Sequence, residues 1–154
     1  MIPVLKPCEF AGDYFVAREL FQAYAGGLGV PLAGADFERE LSLLPQLYGP
    51  PGGALLIAYD GPLPVGCVGV RRFSDDTCEL LRLYVSPERR SAGVGRRLAR
   101  EAIATGRRLG YRRMVLDTPP GMEEARALCR SLGFHEIPPY YDGLPGSVFM
   151  ERAL

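Results

Sequence analysis

The stretch that most restricts the fold is Glu79-Leu-Leu-Arg-Leu-Tyr-Val-Ser-Pro87-Glu-Arg-Arg90-Ser-Ala-Gly93-Val-Gly95-Arg-Arg-Leu98. Thr77 to Val85 reads as a strand, and Pro87 breaks it. From Gly93 to Leu109 the apolar residues Leu98, Ala102, Ile103 and Leu109 recur at the spacing of one helix face. A strand therefore passes through a short arginine- and glycine-bearing loop directly into a helix. The first N–H groups of such a helix lack intrahelical partners and point outward at the positive end of its dipole. Gly93 and Gly95 carry no side chain, so a phosphate can approach these amides closely. An N–H donated to a charged oxygen contributes roughly 1.5–3 kcal/mol, against about 0.3–1 kcal/mol for the dipole. With Arg90, Arg96 and Arg97 around it, the loop suits a pyrophosphate; a plain turn before a glycine-bearing helix start is the alternative.

Charge supports the first reading. The 154 residues balance 18 bases against 18 acids, a neutrality that argues against coating nucleic acid. Lys6 is the only lysine. Ten arginines lie between Arg82 and Arg113, where the only acids are Glu88 and Glu101. That local field suits a small polyanion, or else is a solvated helix face. The most apolar stretch, Ala54 to Val70, is broken by Asp60, Pro62 and Pro64, so no membrane span is expected. The start, Met-Ile-Pro-Val-Leu-Lys-Pro, has no basic head followed by a long apolar segment, and a cytoplasmic protein is expected. Cys8, Cys67, Cys78 and Cys129 form no CxxC pair, and His135 is the only histidine, so neither a disulfide framework nor a metal site is expected.

The chain reads as one domain over residues 1–154. Residues 2–6 suggest a short strand. Asp13 to Tyr24 has helical spacing and ends in Gly26, Gly27 and Gly29; Asp36 caps a second helix to Leu44, stopped by Pro45. Ala54 to Tyr59 and Val65 to Phe73 form a hairpin about Asp60-Gly61. After the strand and helix already described come a strand from Arg112 to Asp117 and a helix from Met122 to Leu132, stopped by Gly133. Two strands, Phe134 to Ile137 and Ser147 to Glu151, close the sheet around the loop Pro138 to Gly146. The order defines a mixed α/β domain, antiparallel first and then with parallel crossovers.

Three phosphate cradles fail on residues: there is no Gly-Lys-Ser/Thr, the third glycine of a dinucleotide fingerprint is replaced by Leu98, and the kinase catalytic set is absent. A cradle for coenzyme A remains. Here the sequence resembles the GNAT superfamily of acetyl-coenzyme A-dependent N-acetyltransferases. Arg90-Ser-Ala-Gly93-Val-Gly95 matches their Arg/Gln-x-x-Gly-x-Gly/Ala signature, Leu83 to Pro87 matches the strand end before it, and Ala125 to Phe134 matches their late helix with its Leu-Gly-Phe ending. The resemblance implies a central mixed, mostly antiparallel sheet of about six to seven strands with about four helices. It implies acetyl-coenzyme A as co-substrate, its pyrophosphate held by Arg90 and the amides of Ser91, Ala92, Gly93, Val94, Gly95 and Arg96, and pantetheine beside Leu83 and Val85. Many relatives carry glycine at position 91; serine leaves the amide available, so little loss is expected. The implied reaction is direct attack of a primary amine of a small molecule on the thioester in a ternary complex. A non-catalytic coenzyme A-binding module of the same fold is the alternative. Homodimerisation is a habit of the family.

Glu79 is the candidate base. Strand alternation places Glu79, Leu81, Leu83 and Val85 on one face, with Tyr84 opposite. A carboxylate beside apolar neighbours is biased toward its neutral form. By resemblance, Glu79 occupies the position of a glutamate used as base in several relatives. Pairing with Arg71 or Arg72, or binding of the substrate amine, is the competing role. The family commonly places a tyrosine four residues before the glycine that ends the late helix; here that position is Cys129, either a proton donor to the departing thiolate or a buried small residue. The acceptor is expected between the glycine-rich stretch Ala25 to Gly34 and the loop Pro138 to Gly146. There Tyr140 and Tyr141 offer aromatic walls and Asp142 an anion for an ammonium group.

Overall fold

Ala54–Asp60 (β2) is an apolar run whose side chains enter the cores on both faces of the sheet, while its backbone is paired on both edges. Gly61, at φ 61°, turns the chain into Leu63–Arg72 (β3), which returns antiparallel to β2. Val4–Pro7 (β1) covers the other edge of β2, and Thr77–Val85 (β4) follows β3 antiparallel. In this computed structural model residues 2–28 and 34–154 are described; Met1 and residues 29–33 of the glycine-rich stretch expected beside the acceptor lie outside them.

The remaining strands are Arg113–Thr118 (β5), His135–Ile137 (β6) and Val148–Ala153 (β7), giving one sheet of order β1-β2-β3-β4-β5-β7-β6. Only β4 and β5 run parallel, so one crossover is parallel where several were expected. The helices are Ala11–Gly26 (α1), Gly34–Ser42 (α2), Leu44–Tyr48 (α3), Val94–Arg108 (α4) and Glu123–Ser131 (α5). Among the described residues five are found where about four were expected, because Pro45 does not stop a helix but starts one. Proline fits the first turn, where its missing N–H costs no hydrogen bond.

The sheet is covered on both faces. On one, Leu98, Ala102 and Ile103 of α4 and Cys129 of α5 pack against Val68, Leu80, Met114, Leu116 and Met150. On the other, Ala17, Leu20 and Phe21 of α1 with Leu41, Leu44 and Tyr48 pack against Leu55, Ile57 and Cys67. Tyr48 lies flat on β3 because Gly69 yields the room: a Cβ there would stand 2.5 Å from Tyr48 Cε1.

Two irregularities of β4 shape everything beyond it. The register with β3 pairs Gly69 with Leu81 but Cys67 with Tyr84, so two residues of β4, Arg82 and Leu83, oppose Val68 alone. This is a β-bulge, with Arg82 in the left-handed region at φ 57°. The extra residue inverts the alternation. Cys78 and Leu80 face α4, and Glu79 and Leu81 face α1–α3, but beyond Arg82 it is Leu83 and Val85 that face α4 and Tyr84 that faces α1–α3. The expectation that Glu79, Leu83 and Val85 share a face is therefore overturned, and so is the separation of Tyr84 from Glu79. The second irregularity is that β4 and β5 pair only at Thr77–Arg113, Cys78–Met114 and Glu79–Val115. Past Glu79 the strands part, leaving two open edges inside the sheet.

Candidate active site

On the α4 face, β4 ends at Val85, a single 3-10 turn spans Pro87–Arg89, and α4 begins after Gly93. The last backbone bond before the loop is Arg90 N–H to Pro87 O, and the first after it is Arg97 N–H to Gly93 O at 3.1 Å. The six intervening amides, Ser91 through Arg96, have no backbone partner among the described residues, and no side chain caps the helix. Gly93 sits at φ 83° and a Cβ on it would meet nothing within 4 Å, so the loop is open as well as left-handed. Gly95 lies against the strand end instead: a Cβ on it would stand 3.6 Å from Val85 Cγ2, ordinary van der Waals contact. Ser91 also lies in the left-handed region, at φ 68°.

The arginines are not equivalent. Arg90 folds back, donating Nε–H to Val85 O at 2.9 Å with its guanidinium 6.0 Å from the Tyr84 ring centroid. Arg97 does not face the loop; it donates to Pro3 O at 2.5 Å and ties α4 to the start of the chain. Arg89 pairs with Asp60 at 3.0 Å. Free amides, an open Gly93 and the parted edge beside Leu83 and Val85 fit a diphosphate with an extended amide-bearing arm.

On the α1–α3 face, Glu79 is buried but not among apolar neighbours. Its Oε1 accepts from Arg71 Nη2 at 2.9 Å and its Oε2 from Tyr140 Oη at 2.8 Å. The Arg71 pair is the competing role foreseen for Glu79; the bond to Tyr140 was not foreseen, because 61 residues separate the partners. Tyr140 also packs on Phe73, Tyr141 and Phe149, with centroids 5.0–5.5 Å apart. Burial, and then the Glu79 carboxylate, push the Tyr140 phenol well above its ordinary range, so it stays protonated and donates. Tyr141 donates to Asp117 Oδ2 at 2.7 Å, and burial followed by that bond raises it likewise. Asp142 is exposed.

Behind this wall Arg82 reaches from the bulge to Glu40 on α2, with Nε–Oε2 2.9 Å and Nη2–Oε1 2.6 Å, while Tyr48 Oη donates to the same carboxylate at 3.0 Å. Burial works against the Arg82 charge, but the Glu40 contacts outweigh it and hold the guanidinium ionised. Arg126 of α5 binds Thr118, Pro119 O and Gly146 O, anchoring the end of the tyrosine loop. Neither group was legible in the sequence, where the partners stand far apart.

A cleft of about 970 Å³ joins the two faces through the parted strands. Glu79, Arg82, Tyr140, Tyr141 and Asp117 line it from one side, Leu80, Leu83, Ala125 and Cys129 from the other. Glu79 and Cys129 thus approach from opposite faces of the sheet. Burial raises the Cys129 thiol from 9.0 to about 11. No helix of the described residues is long and apolar enough to cross a membrane, and no group of three or more potential metal ligands gathers among them.

A sheet parted at a bulged strand, with an amide cradle at the helix that follows, is the architecture of an acyl-coenzyme A-dependent acyltransferase. The acetyltransferase (GNAT) family model matches residues 17–134. An uncharacterized N-acetyltransferase of Schizosaccharomyces pombe is 39% identical over 136 residues, covering 86% of this chain and 83% of that one. The uncharacterized N-acetyltransferase YjgM of Escherichia coli is 32% identical over 154 residues, covering 97% and 91%. Among solved structures, a phosphinothricin acetyltransferase of Sinorhizobium meliloti in complex with AcCoA superposes with TM-score 0.75 at 23% identity, over 100% of this chain and 89% of that one. The chain belongs to the acetyltransferase (GNAT) family, whose members are acetyl-CoA-dependent N-acetyltransferases, and N-acetyl transfer is the activity this membership assigns it.

Proposed function

We propose that this enzyme acetylates a primary amine of a small molecule, the amine attacking directly in a ternary complex. The observation that carries the reading is the cleft that runs through the parted sheet. It runs from Leu83, Ala125 and Cys129 on one face, beside the strand whose end leads into the loop of unpaired amides, to the Glu79–Tyr140 pair on the other. In this reading Arg90 and the amides of Ser91 to Arg96 hold the pyrophosphate, and the free edge beside Leu83 and Val85 holds pantetheine. Bound acetyl-coenzyme A supplies a thioester carbonyl for the nitrogen to attack and a thiolate that leaves. Glu79 acts as the proton acceptor, reached through the Tyr140 hydroxyl: the phenol oxygen takes a proton from the amine as its own passes to Oε2. Arg71 fixes the other oxygen, so the carboxylate keeps one orientation throughout. Tyr140, Tyr141 and Phe73 wall the acceptor, with Phe149 packed behind the two tyrosines and Asp142 at the exposed rim. Cys129 serves as a small wall residue on the cofactor face, because a thiol raised to about 11 gives up its proton reluctantly.

A thiol-release screen with acetyl-coenzyme A across amines, amino acids, polyamines and peptides tests the reading; release with a small amine is the expected result. Glu79→Gln then keeps its calorimetric affinity for acetyl-coenzyme A and loses about a hundredfold or more in kcat, the range of general-base catalysis. Unaltered turnover in that variant would remove Glu79 from the chemistry.

A further inference from the structure

Three carboxylates line the cleft from its walls without being fully exposed: Glu40, Glu79 and Asp117. The first two are matched by cations, Arg82 and Arg71 respectively. Asp117 is not. It is half-buried on β5, its Oδ2 accepts from Tyr141, and among the described residues no cation stands within ion-pair distance and nothing bonds Oδ1. Asp36 and Asp142 also line the cleft, but both are exposed and water solvates them.

The place of Asp117 in the sheet gives this imbalance a use. The last β4–β5 pair is Glu79 with Val115, and Asp117 lies two residues further along β5 on the same face. Its partner on the other side is Phe149, whose ring packs against both Tyr140 and Tyr141. Asp117 therefore stands on the lip of the parted strands, beside the Tyr140–Glu79 pair and walled by the same aromatic rings. A carboxylate partly withdrawn from water lacks the counter-charge that its neighbours have.

We infer that Asp117 binds the ammonium group of the acceptor, and that the enzyme selects amines that arrive as cations, aliphatic primary amines over arylamines. The inference rests on the reading of the cleft as the acceptor site. Asp117 and Glu79 then divide the work. Asp117 accepts an N–H of the ammonium on its free oxygen and holds the nitrogen at the lip. One proton passes through Tyr140 to Glu79, leaving a neutral amine and a protonated Glu79 carboxyl. Loss of Asp117 weakens acceptor binding, whereas loss of Glu79 slows the chemical step.

Steady-state thiol release at saturating acetyl-coenzyme A separates these roles, with a panel of primary alkylamines and aniline as acceptors. Asp117→Asn raises KM for the alkylamines about ten- to hundredfold, as expected for losing a charge-assisted hydrogen bond, with kcat within a few-fold and KM for aniline little altered. Its calorimetric affinity for acetyl-coenzyme A stays at the wild-type value, which also shows that the variant is folded. Asp117→Glu, which restores the charge, recovers most of the alkylamine KM. Tyr141→Phe removes the Tyr141–Asp117 hydrogen bond but keeps both carboxylate and ring, and raises the alkylamine KM less than Asp117→Asn does. An unchanged alkylamine KM in Asp117→Asn overturns the inference. So does a Tyr141→Phe loss as large as that of Asp117→Asn, which would reduce Asp117 to an anchor for the loop, or a wild-type preference for aniline. If the wild-type protein releases thiol with no amine at all, the reading of the cleft falls first.

Discussion

Ser91 stands where many members of the family carry glycine, and its φ of 68° gives the reason. A left-handed conformation costs an L-residue with a Cβ about 1–2 kcal/mol, part of which glycine returns through its greater freedom in the unfolded chain. Ser91→Gly is therefore expected to stabilise the protein by about 0.5–1 kcal/mol in denaturant titration, with no loss of affinity for acetyl-coenzyme A. The expectation that serine is harmless there holds for the amide and misses the backbone. Glu40 and Arg82 pose the opposite case, a pair of charges whose side chains are 8% and 17% exposed. Neutralising one leaves the other buried without compensation, so Glu40→Gln is expected to cost about 3–5 kcal/mol, read as a fall in the denaturation midpoint. The amide also turns donors toward the guanidinium where oxygens stood.

At the scale of the element, β4 decides more than any helix. Its bulge turns Leu83 and Val85 to the α4 face and leaves Glu79 on the α1–α3 face, so a single strand lines both halves of the cleft. The bulge also supplies Arg82, which ties α2 to the strand. Packing against β3 keeps this geometry in place: Tyr48 rests on Gly69, stands edge-on to Phe21 at 5.6 Å, and donates to Glu40. Gly69→Ala drives a methyl into that ring, which is held at both ends and cannot swing away. The expected loss is about 1–3 kcal/mol by thermal or chemical unfolding, together with weaker acceptor binding as α2 shifts. Arg126 plays a similar part for the tyrosine loop, since its bond to Gly146 O joins that loop to α5.

Over the whole molecule, all four cysteines are buried and reduced. Burial, the largest cause for each, pushes Cys8 and Cys78 up to about 12 and Cys129 to about 11, from an ordinary 9.0. Above pH 9 the unfolded chain releases thiol protons that the native state retains, so the unfolded state binds fewer protons and stability falls with rising pH. This contribution is fully present below pH 9 and disappears as pH climbs through about 11 to 12. Buried phenols such as Tyr140 act in the same direction at higher pH. A melting-temperature series is expected to show no thiol-linked change below pH 9 and a steepening fall above it, and replacing Cys129 with alanine should soften the early part of that fall.

The sequence by itself determined the local pieces: the hairpin about Asp60-Gly61, the amphipathic α4, the glycine loop with its open amides, and the family these define. Each follows from residues close along the chain, whose periodicity and backbone freedom act without help from the rest of the fold. Tertiary structure decided which face each residue of β4 presents, because one extra residue at Arg82 inverts a period of two and leaves no mark in composition. It alone joined Glu79 to Tyr140, Glu40 to Arg82 and Tyr141 to Asp117. These partners come from separate strands, helices and loops, and only the packing of those elements brings their charges within reach of one another.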